Sequence, residues 1–385
     1  MLRTFVIPAA LAAALLIAGQ AAVAAVDATD LLMKALIEKR LLTEDEAAAV
    51  RAEIATTRAD EEAARKAFPA TGKRPVTLSG YTQIRYLNAD GAGAPSTLEA
   101  RRVRLTLAGD ATPDLEYRAQ VDFAGARRAV TNAAFATALV GRPVLLDAAI
   151  GYRFPGGHKL TVGQQKVPFG QENLASSNNF ALINYAQVSD NLVPSRDIGA
   201  QGYDTGILFT GARALRAASL EYAAGLFIGT GINTGDDNET KDLAVRVAWK
   251  PGGAGVTLGA AYYDGATGAA RAARTRAAID AVYVHGPWTL RGEYVTGKDA
   301  AVKKRGWYGT VARTLTDTVQ AVVRYDVYDP DTAVAQDGAA AVTGGVNWFL
   351  SKDGLARLQV NYEHRREQGA QVANDQLLAQ LQAGF

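Results

Sequence analysis

Arginines at alternate positions are the residues of this sequence with the clearest chemical potential. In the segment LEARRVRLTLAG, Arg102 and Arg104 flank Val103, and Leu105 follows. Side chains two residues apart lie on the same face of an extended strand, so both guanidinium groups would project from one face. The guanidinium group offers a planar fork of donors that matches the oxygens of carboxylate and phosphate. This spacing predicts an anion-attracting surface rather than a catalytic centre.

The same parity assigns further arginines to the polar faces of other segments. The candidates for an anion-attracting surface, which would be pore-lining if the strands close around a channel, are Arg85, Arg101, Arg102, Arg104, Arg118, Arg153, Arg246, Arg291 and Arg324. Parity alone places Arg101 opposite to Arg102, so Arg101 either lies at a rim or marks a break in the strand register. The alternative is that these arginines pair with acids on neighbouring strands, such as Glu116 and Asp122, and merely solvate the surface.

The sequence carries no motif for catalysis, metal binding or a cofactor. The three histidines, His158, His285 and His364, stand near turns or strand ends without a serine at adjacent spacing. No HExxH motif, nucleophile elbow or phosphate-cradling glycine loop occurs, and cysteine is absent. The acidic segment NTGDDNETKD could hold a divalent cation, although a lone acidic loop is more often solvated. We expect no metal and no cofactor, with a membrane-embedded enzyme as the competing class.

The composition limits the classes of protein to which this chain can belong. The chain has 385 residues and a net charge of +2, which gives no reason to expect a nucleic-acid partner. It contains 38 glycines, and its 15 tyrosines outnumber its 11 phenylalanines. This balance favours strands whose amphipathic rings end at an interface. The length suits several soluble domains or one large β architecture.

The N-terminal residues 1–25 are typical of a secretory signal, since a basic start precedes an apolar run and small residues. Cleavage is expected after Ala24 or Ala25. Residues 26–68 predict a periplasmic segment of two short helices, and residues 69–75 predict a linker. Because its heptads are not sustained, the helical segment is either a coiled coil or a frayed tether.

From residue 76 onward the hydrophobic period changes to two. In DLEYRAQVDF, apolar Leu115 and Tyr117 alternate with polar Glu116 and Arg118. Segments of about ten residues with this alternation are typical of strands with one apolar and one polar face. Sixteen are predicted, at 76–87, 98–109, 115–124, 144–154, 158–166, 203–211, 217–228, 240–250, 255–264, 276–285, 288–297, 304–315, 317–328, 339–350, 355–366 and 376–385.

The connections between these segments alternate in length. PGGH, HGPW and SKDG are tight, whereas NADGAGAPST, GTGINTGDDNE, ATGAARAART and DPDTAVAQDG are long. A transmembrane barrel sorts its connections in this way, and closure removes the open edges that lipid does not tolerate. The sequence predicts an all-β fold over residues 76–385: a sixteen-stranded antiparallel transmembrane β-barrel that outer-membrane lipid surrounds. Its last strand, LLAQLQAGF, would close it.

One connection, residues 167–202, is much longer than the others. Loops of this size are normally functional, and its centre, NNFALINYAQV, is apolar enough to fold against a wall. We expect this third extracellular loop to narrow a lumen that sixteen strands leave wide; the alternative is a surface loop over the mouth. Arg196 and Asp197 are expected to anchor it by salt bridges. The candidate constriction residues are Phe169, Gly170, Asn173, Ser176, Ser177, Asn178, Arg196 and Asp197.

Several segments resemble the phosphate-selective porin O and P family. The run LTVGQQKVPFGQENLASSNNF…NLVPSRDIGAQ resembles its third-loop region, and LEARRVRLTLAG resembles its arginine-pair strand. VNWFLSKD…LQVNYEHRR and LLMKALIEKRLLTEDEA resemble its penultimate strands and its helical preface. The resemblance implies a homotrimeric channel for small anions or other small hydrophilic solutes in the outer membrane of a Gram-negative bacterium. It matches Arg101 and Arg102 to the family's arginine pair near the constriction.

The chain departs from that family in its inner loop. The lysines that phosphate-binding members carry there are missing, since no lysine occurs between Lys166 and Lys241. We therefore expect passive diffusion with a weak preference for anions, phosphate among them, rather than high-affinity phosphate binding. A general porin whose N-terminal segment also tethers the outer membrane is the alternative.

Overall fold

The structure, a computed structural model, describes residues 43–44, 74, 76–91, 96–132, 135–253, 255–268 and 270–385. Within these residues sixteen strands each run antiparallel to their neighbours, and β16 pairs with β1 to close one barrel. The predicted all-β, sixteen-stranded barrel is confirmed. The predicted signal, helical segment and linker lie almost entirely outside the described residues.

The strands are β1 (Val76–Ala89), β2 (Thr97–Asp110), β3 (Leu115–Asn132), β4 (Phe135–Phe154), β5 (His158–Lys166), β6 (Tyr203–Leu215), β7 (Ala218–Phe227), β8 (Asp242–Pro251), β9 (Val256–Thr267), β10 (Ala272–His285), β11 (Trp288–Asp299), β12 (Val302–Thr316), β13 (Val319–Asp329), β14 (Ala339–Phe349), β15 (Arg357–Glu367) and β16 (Gln376–Gly384). Between β5 and β6 lie α1 (Gln171–Leu174), a 3-10 turn (Ser177–Asn179) and α2 (Gln187–Leu192). None of the helices in the described ranges is long and apolar enough to span a bilayer.

The two faces of the wall differ in polarity. Along β2, Arg104 and Thr106 are buried toward the lumen, whereas Leu105 and Leu107 are exposed on the outside. Outward-facing rings form two bands, with Tyr262, Tyr294, Trp307 and Tyr325 in one and Trp249, Trp288 and Trp348 in the other. An apolar band between two aromatic girdles is the outer surface of a barrel that lipid surrounds.

Some hairpins are longer than the sequence predicts. β3 extends to Asn132, and β4 already begins at Phe135. The predicted long loop ATGAARAART is largely strand, since β9 ends at Thr267 and β10 begins at Ala272. Beyond the membrane, water wets both faces of a hairpin, so pairing there needs no apolar alternation. The pattern on which the prediction depends is therefore absent from these extensions.

The C-terminal residue takes part in the closure of the barrel. The N–H of Phe385 donates to the Gly80 carbonyl at 2.9 Å, and the Gly80 N–H donates to the Phe385 carbonyl at 3.1 Å. The Phe385 ring lies against Gly80, where no side chain intervenes. The alternating C-terminal segment is thus the strand that joins the two ends of the sheet.

Candidate functional site

The loop of residues 167–202 lies inside the barrel rather than over its mouth. Its apolar side chains Phe169, Val188 and Leu192 are fully buried. They pack in one cluster with side chains of the wall, namely Ala244, Ala261, Ala278, Val295 and Tyr308. Each buried side chain of this size contributes about 1.5–3 kcal/mol, and the small alanines of the wall leave the space that the loop fills.

Two glycines permit the close approach of loop and wall. A Cβ at Gly306 of β12 would lie 2.9 Å from the Val188 Cβ of α2. Gly170 has a φ of 74°, and a Cβ there would lie 2.7 Å from the Glu293 Oε1 of β11. Larger residues at either position would push the loop away from the wall.

One carboxylate of the loop binds two arginines of β10. Asp197 lies 2.5 Å from an Nη2 of Arg274 and 2.9 Å from the Nη2 of Arg276. The Arg276 Nε also donates to the Leu192 carbonyl at 3.1 Å. Asp197 therefore anchors the loop to the wall. Arg196 does not, because it pairs with Asp190 of the same loop at 3.0 Å.

Polar side chains of other strands hold the loop's carbonyl groups. Arg324 of β13 donates to the Asn184 and Tyr185 carbonyls at 2.9 and 3.0 Å. Asn347 of β14 donates to the Ala181 carbonyl at 2.9 Å. These bonds satisfy carbonyl groups in a part of the loop without regular secondary structure, so side chains of the wall supply the hydrogen bonds that a helix or sheet would otherwise provide.

The predicted constriction residues occupy distinct places in this loop. Ser177 lies 2.6 Å from the Tyr81 hydroxyl and accepts from Arg104 at 3.2 Å. The Asn178 carbonyl accepts from β15 and β16, and Ser176 lines a cavity beside α1. Asn173 is fully buried and donates to the Val167 and Phe169 carbonyls within the loop.

Six of the nine predicted arginines form ion pairs. The pairs are Arg85 with Glu99, Arg104 with Asp122 (2.9 Å), Arg118 with Asp147 (2.9 Å), Arg153 with Glu116 (2.6 Å) and Asp110 (2.8 Å), Arg246 with Asp280 (2.5 Å), and Arg324 with Asp326 (3.0 Å). The geometry of these six arginines therefore agrees with the alternative prediction, in which the arginines pair with acids of the protein. Of the six, Arg118 and Arg153 keep side chains that are 50% and 43% exposed.

The strand register breaks at the predicted arginine pair. Gln83 of β1 lies opposite Arg102, and the next residue of β1 lies opposite Ala100. Arg101 is therefore the extra residue of a β-bulge, a feature that redirects side chains. Its charged neighbours include Asp190 of α2. Among the described residues, neither Arg101 nor Arg102 forms an ion pair with a carboxylate, and the same holds for the predicted Arg291.

Two contiguous cavities lie between the loop and the wall on the side of β1–β8. The narrower one, about 240 Å³, is lined by Arg104, Arg118, Lys166 and Asp147 among others. The wider one, about 690 Å³, extends to the short turn after β4 and shares Lys166 and Leu174 with the first. Its charged residues are the cations Arg153, Lys159, Lys166 and Arg246 and the acids Glu116 and Glu221.

A third cavity, of about 220 Å³, lies on the opposite side of the loop. Its charged residues are Arg291, Arg357 and Asp353. Arg357 donates to the Asn178 carbonyl at 2.5 Å, and within the described part of the chain it has no carboxylate partner. In each of the three cavities, the basic residues thus outnumber the acidic ones.

The acidic segment between β7 and β8 is neutralised locally. Asp236 lies 2.5 Å from the Lys241 ammonium, and Glu239 lies 3.0 Å from Arg271. In the residues that the structure describes, no group of three His, Cys, Asp or Glu side chains is placed to hold a metal ion.

Sequence comparison decides the family. The model of the phosphate-selective porin O and P family matches residues 76–266 and 223–385, which together span the barrel. The chain belongs to this family. Porins of this kind are outer-membrane channels, and this porin resides in the outer membrane of a Gram-negative bacterium. No curated protein sequence gives a significant match.

Solved structures share the porin fold at low sequence identity. An anion-selective porin from Comamonas acidovorans is 18% identical, with 81% of this chain and 100% of that chain covered and a TM-score of 0.57. The outer membrane channel DcaP of Acinetobacter baumannii is 13% identical, with 83% and 99% covered and a TM-score of 0.58. OmpT of Vibrio cholerae in its trimer form is 10% identical, with 81% and 99% covered and a TM-score of 0.56.

The sequence pattern does not single out three residues of the porin site. Arg274 falls in a segment predicted to be a loop, Arg276 begins a predicted strand, and Lys166 is the last residue of β5. The Lys166 ammonium donates to the Asn173 and Ala175 carbonyls at 2.6 and 2.8 Å. The available signal was the spacing of RTR, which places Arg274 and Arg276 on one strand face.

Proposed function

We propose that this porin gives passive diffusion to small hydrophilic solutes with a weak preference for anions, and that the loop of residues 167–202 forms its constriction. The observation that supports this is the charge balance of the cavities beside the loop. The narrower cavity on the β1–β8 side is lined by three basic residues, and with the Asp122 partner of Arg104 counted beside Asp147 they still exceed the acids by one. Lys166 is the one of the three without a carboxylate partner in the described residues. In a narrow passage with low-dielectric walls, such an excess raises the local concentration of anions.

The pairing of most arginines explains why the preference is weak. An ion pair in the wall contributes a dipole rather than a net charge, so the potential depends on the cations without an acid partner. Arg101, Arg102 and Arg291 belong to this group within the described residues, together with Lys166. Arg196 is the only cation of the loop, and it is occupied by Asp190, the Tyr185 ring and the Gln201 carbonyl. A loop without a free cation does not favour high-affinity phosphate binding.

The test is the reversal potential of planar bilayers under a salt gradient. Arg118→Gln removes a half-exposed charge from the narrower cavity, and we expect the anion-to-cation permeability ratio to fall roughly twofold in dilute salt. The effect should nearly vanish in 1 M salt, where the Debye length shrinks to about 3 Å from about 10 Å at 0.1 M.

Two control variants isolate the charge effect. Arg118→Gln with Asp147→Asn removes the whole ion pair, so net charge and reversal potential should stay as in the wild type. Arg313→Gln removes a charge on the lipid face, where the guanidinium lies 4.9 Å from the Trp288 ring, and it should change nothing. A wild-type reversal potential for Arg118→Gln in dilute salt would contradict the proposal. Block of chloride current by millimolar phosphate would contradict the absence of a high-affinity phosphate site.

We propose further that the porin is a homotrimer, on the strength of its family and of the trimer form in which OmpT of Vibrio cholerae was solved. The N-terminal segment, residues 26–68, is proposed to be a periplasmic extension of the barrel.

A further inference from the structure

Two lysines face each other on the outside of the barrel. Lys298 of β11 lies directly opposite Lys303 of β12 in the antiparallel register. Both alternate with inward-facing neighbours and are exposed. Like charges at directly opposed positions repel each other and destabilise the pairing. The arrangement therefore calls for a compensating negative charge.

Within its described residues the protein pairs no carboxylate with either lysine. Asp299, between the two lysines in sequence, points inward and pairs with Arg276 at 2.7 Å and Lys304 at 2.8 Å. Neither Lys298 nor Lys303 forms an ion pair in the part of the chain that is described. Asp264 also faces outward on β9, two strand spacings or about 10 Å from Lys298, and forms no ion pair with it.

The lysines border a groove with the dimensions of a headgroup site. It has a volume of about 330 Å³, and the outward residues that line it include Tyr262, Thr275, Thr296, Lys298, Lys303 and Arg305. Gly297 and the inward-facing Arg276 and Lys304 complete the lining. The small residues give it depth, and the threonine hydroxyls add hydrogen-bond donors. Arg305 is partly neutralised by Asp329 at 3.2 Å. Ammonium groups and hydroxyls around a shallow groove suit a phosphate group.

The height of the groove fits the outer leaflet. On the same outward face, Tyr294 lies opposite Trp307, four residues before Lys298 along β11. Trp307 in turn packs edge-on against Tyr325 at 5.4 Å. Such rings mark the edge of the hydrocarbon, and four residues of a tilted strand add about 10 Å of height. The hairpin end lies on the side of the long loops, which is extracellular.

We propose that this groove binds the phosphorylated headgroup of an outer-leaflet lipid. The phosphate lies between Lys298 and Lys303 and relieves their repulsion, while the acyl chains run down the apolar wall past the aromatic band. The face is a lipid contact in the assembled porin rather than a passage for solute.

The test measures lipid retained on the detergent-solubilised protein by native mass spectrometry. Diphosphoryl lipid A is the probe, and a glycolipid of equal chain length without phosphate is the comparison lipid. Lys298→Gln with Lys303→Gln should weaken the binding of diphosphoryl lipid A about twenty-five-fold, since each lysine near an anionic surface contributes roughly a fivefold factor. Binding of the phosphate-free lipid should not change.

A matched double variant controls for overall charge. Arg213→Gln with Arg313→Gln removes two exposed cations at the periplasmic end of the wall, and it should retain diphosphoryl lipid A as the wild type does. Equal loss in both double variants, or no loss in the lysine variant, would overturn the proposal. Inorganic phosphate that displaces the lipid at equimolar concentration would overturn the assignment to a lipid.

Discussion

At the scale of single residues, the attachment of the loop to the wall depends on one carboxylate, that of Asp197. It is buried, and both of its partners are arginines of the same strand face that are themselves almost inaccessible to water. Removal of one partner from a buried ion pair costs far more than the pair contributes, because the remaining charges stay in a poorly solvated place.

Asp197→Asn should therefore loosen the loop by roughly 3 kcal/mol or more, while the barrel remains folded. Hydrogen exchange of residues 167–202 should accelerate, and the channel current should become noisier. Asp190→Asn is the control, because its carboxylate is 52% exposed and its pair with Arg196 lies within the loop. Loop amides that exchange as slowly as in the wild type would show that the anchor lies elsewhere.

Single residues also show which features of the site the sequence pattern can predict and which it cannot. Alternation placed Arg104 and Arg118 on the inner face, because parity is a local property of a strand. It did not reveal that Arg274 and Arg276 hold Asp197, because the partners stand 77 and 79 residues apart. The sequence predicts the bulge at Arg101 only as one of two possibilities, since a register break depends on the partner strand.

At the scale of elements, the last strand depends on its final residue. Phe385 supplies two backbone hydrogen bonds to β1 and a ring against Gly80. The strand itself was predictable, because one lipid-facing side and one lumen-facing side impose a period of two. Hairpin lengths above the membrane were not, because nothing there enforces that period.

Deletion of Phe385 should lower the temperature at which the folded band disappears on unboiled gels. The loss is about 1 kcal/mol per backbone hydrogen bond, with the ring contact in addition. Phe385→Ala retains the backbone bonds and should have a smaller effect. If both variants lose the folded band at the same temperature, the backbone hydrogen bonds between Phe385 and Gly80 contribute nothing measurable to stability.

At the scale of the whole molecule, the wall has an outer surface fit for lipid and an inner surface largely occupied by its own loop. In the proposed homotrimer, part of that outer surface would contact the neighbouring barrels instead of lipid. Light scattering in detergent, after subtraction of bound detergent, should give the mass of three protomers. A monomer under conditions that preserve the folded gel band would contradict the trimer.

The loop's partners are mostly residues that the ribosome makes later. Asn178 accepts a hydrogen bond from Gln382, 204 residues further along the chain, and Ala181 accepts one from Asn347. The interior therefore cannot reach its final arrangement while the chain is still incomplete. Contacts of such sequence separation slow folding, because the entropy of long chain segments must be lost before any of them forms. Synthesis and folding of this channel are therefore separate in time. The loop cannot take its final place inside the barrel until the last strands have been made.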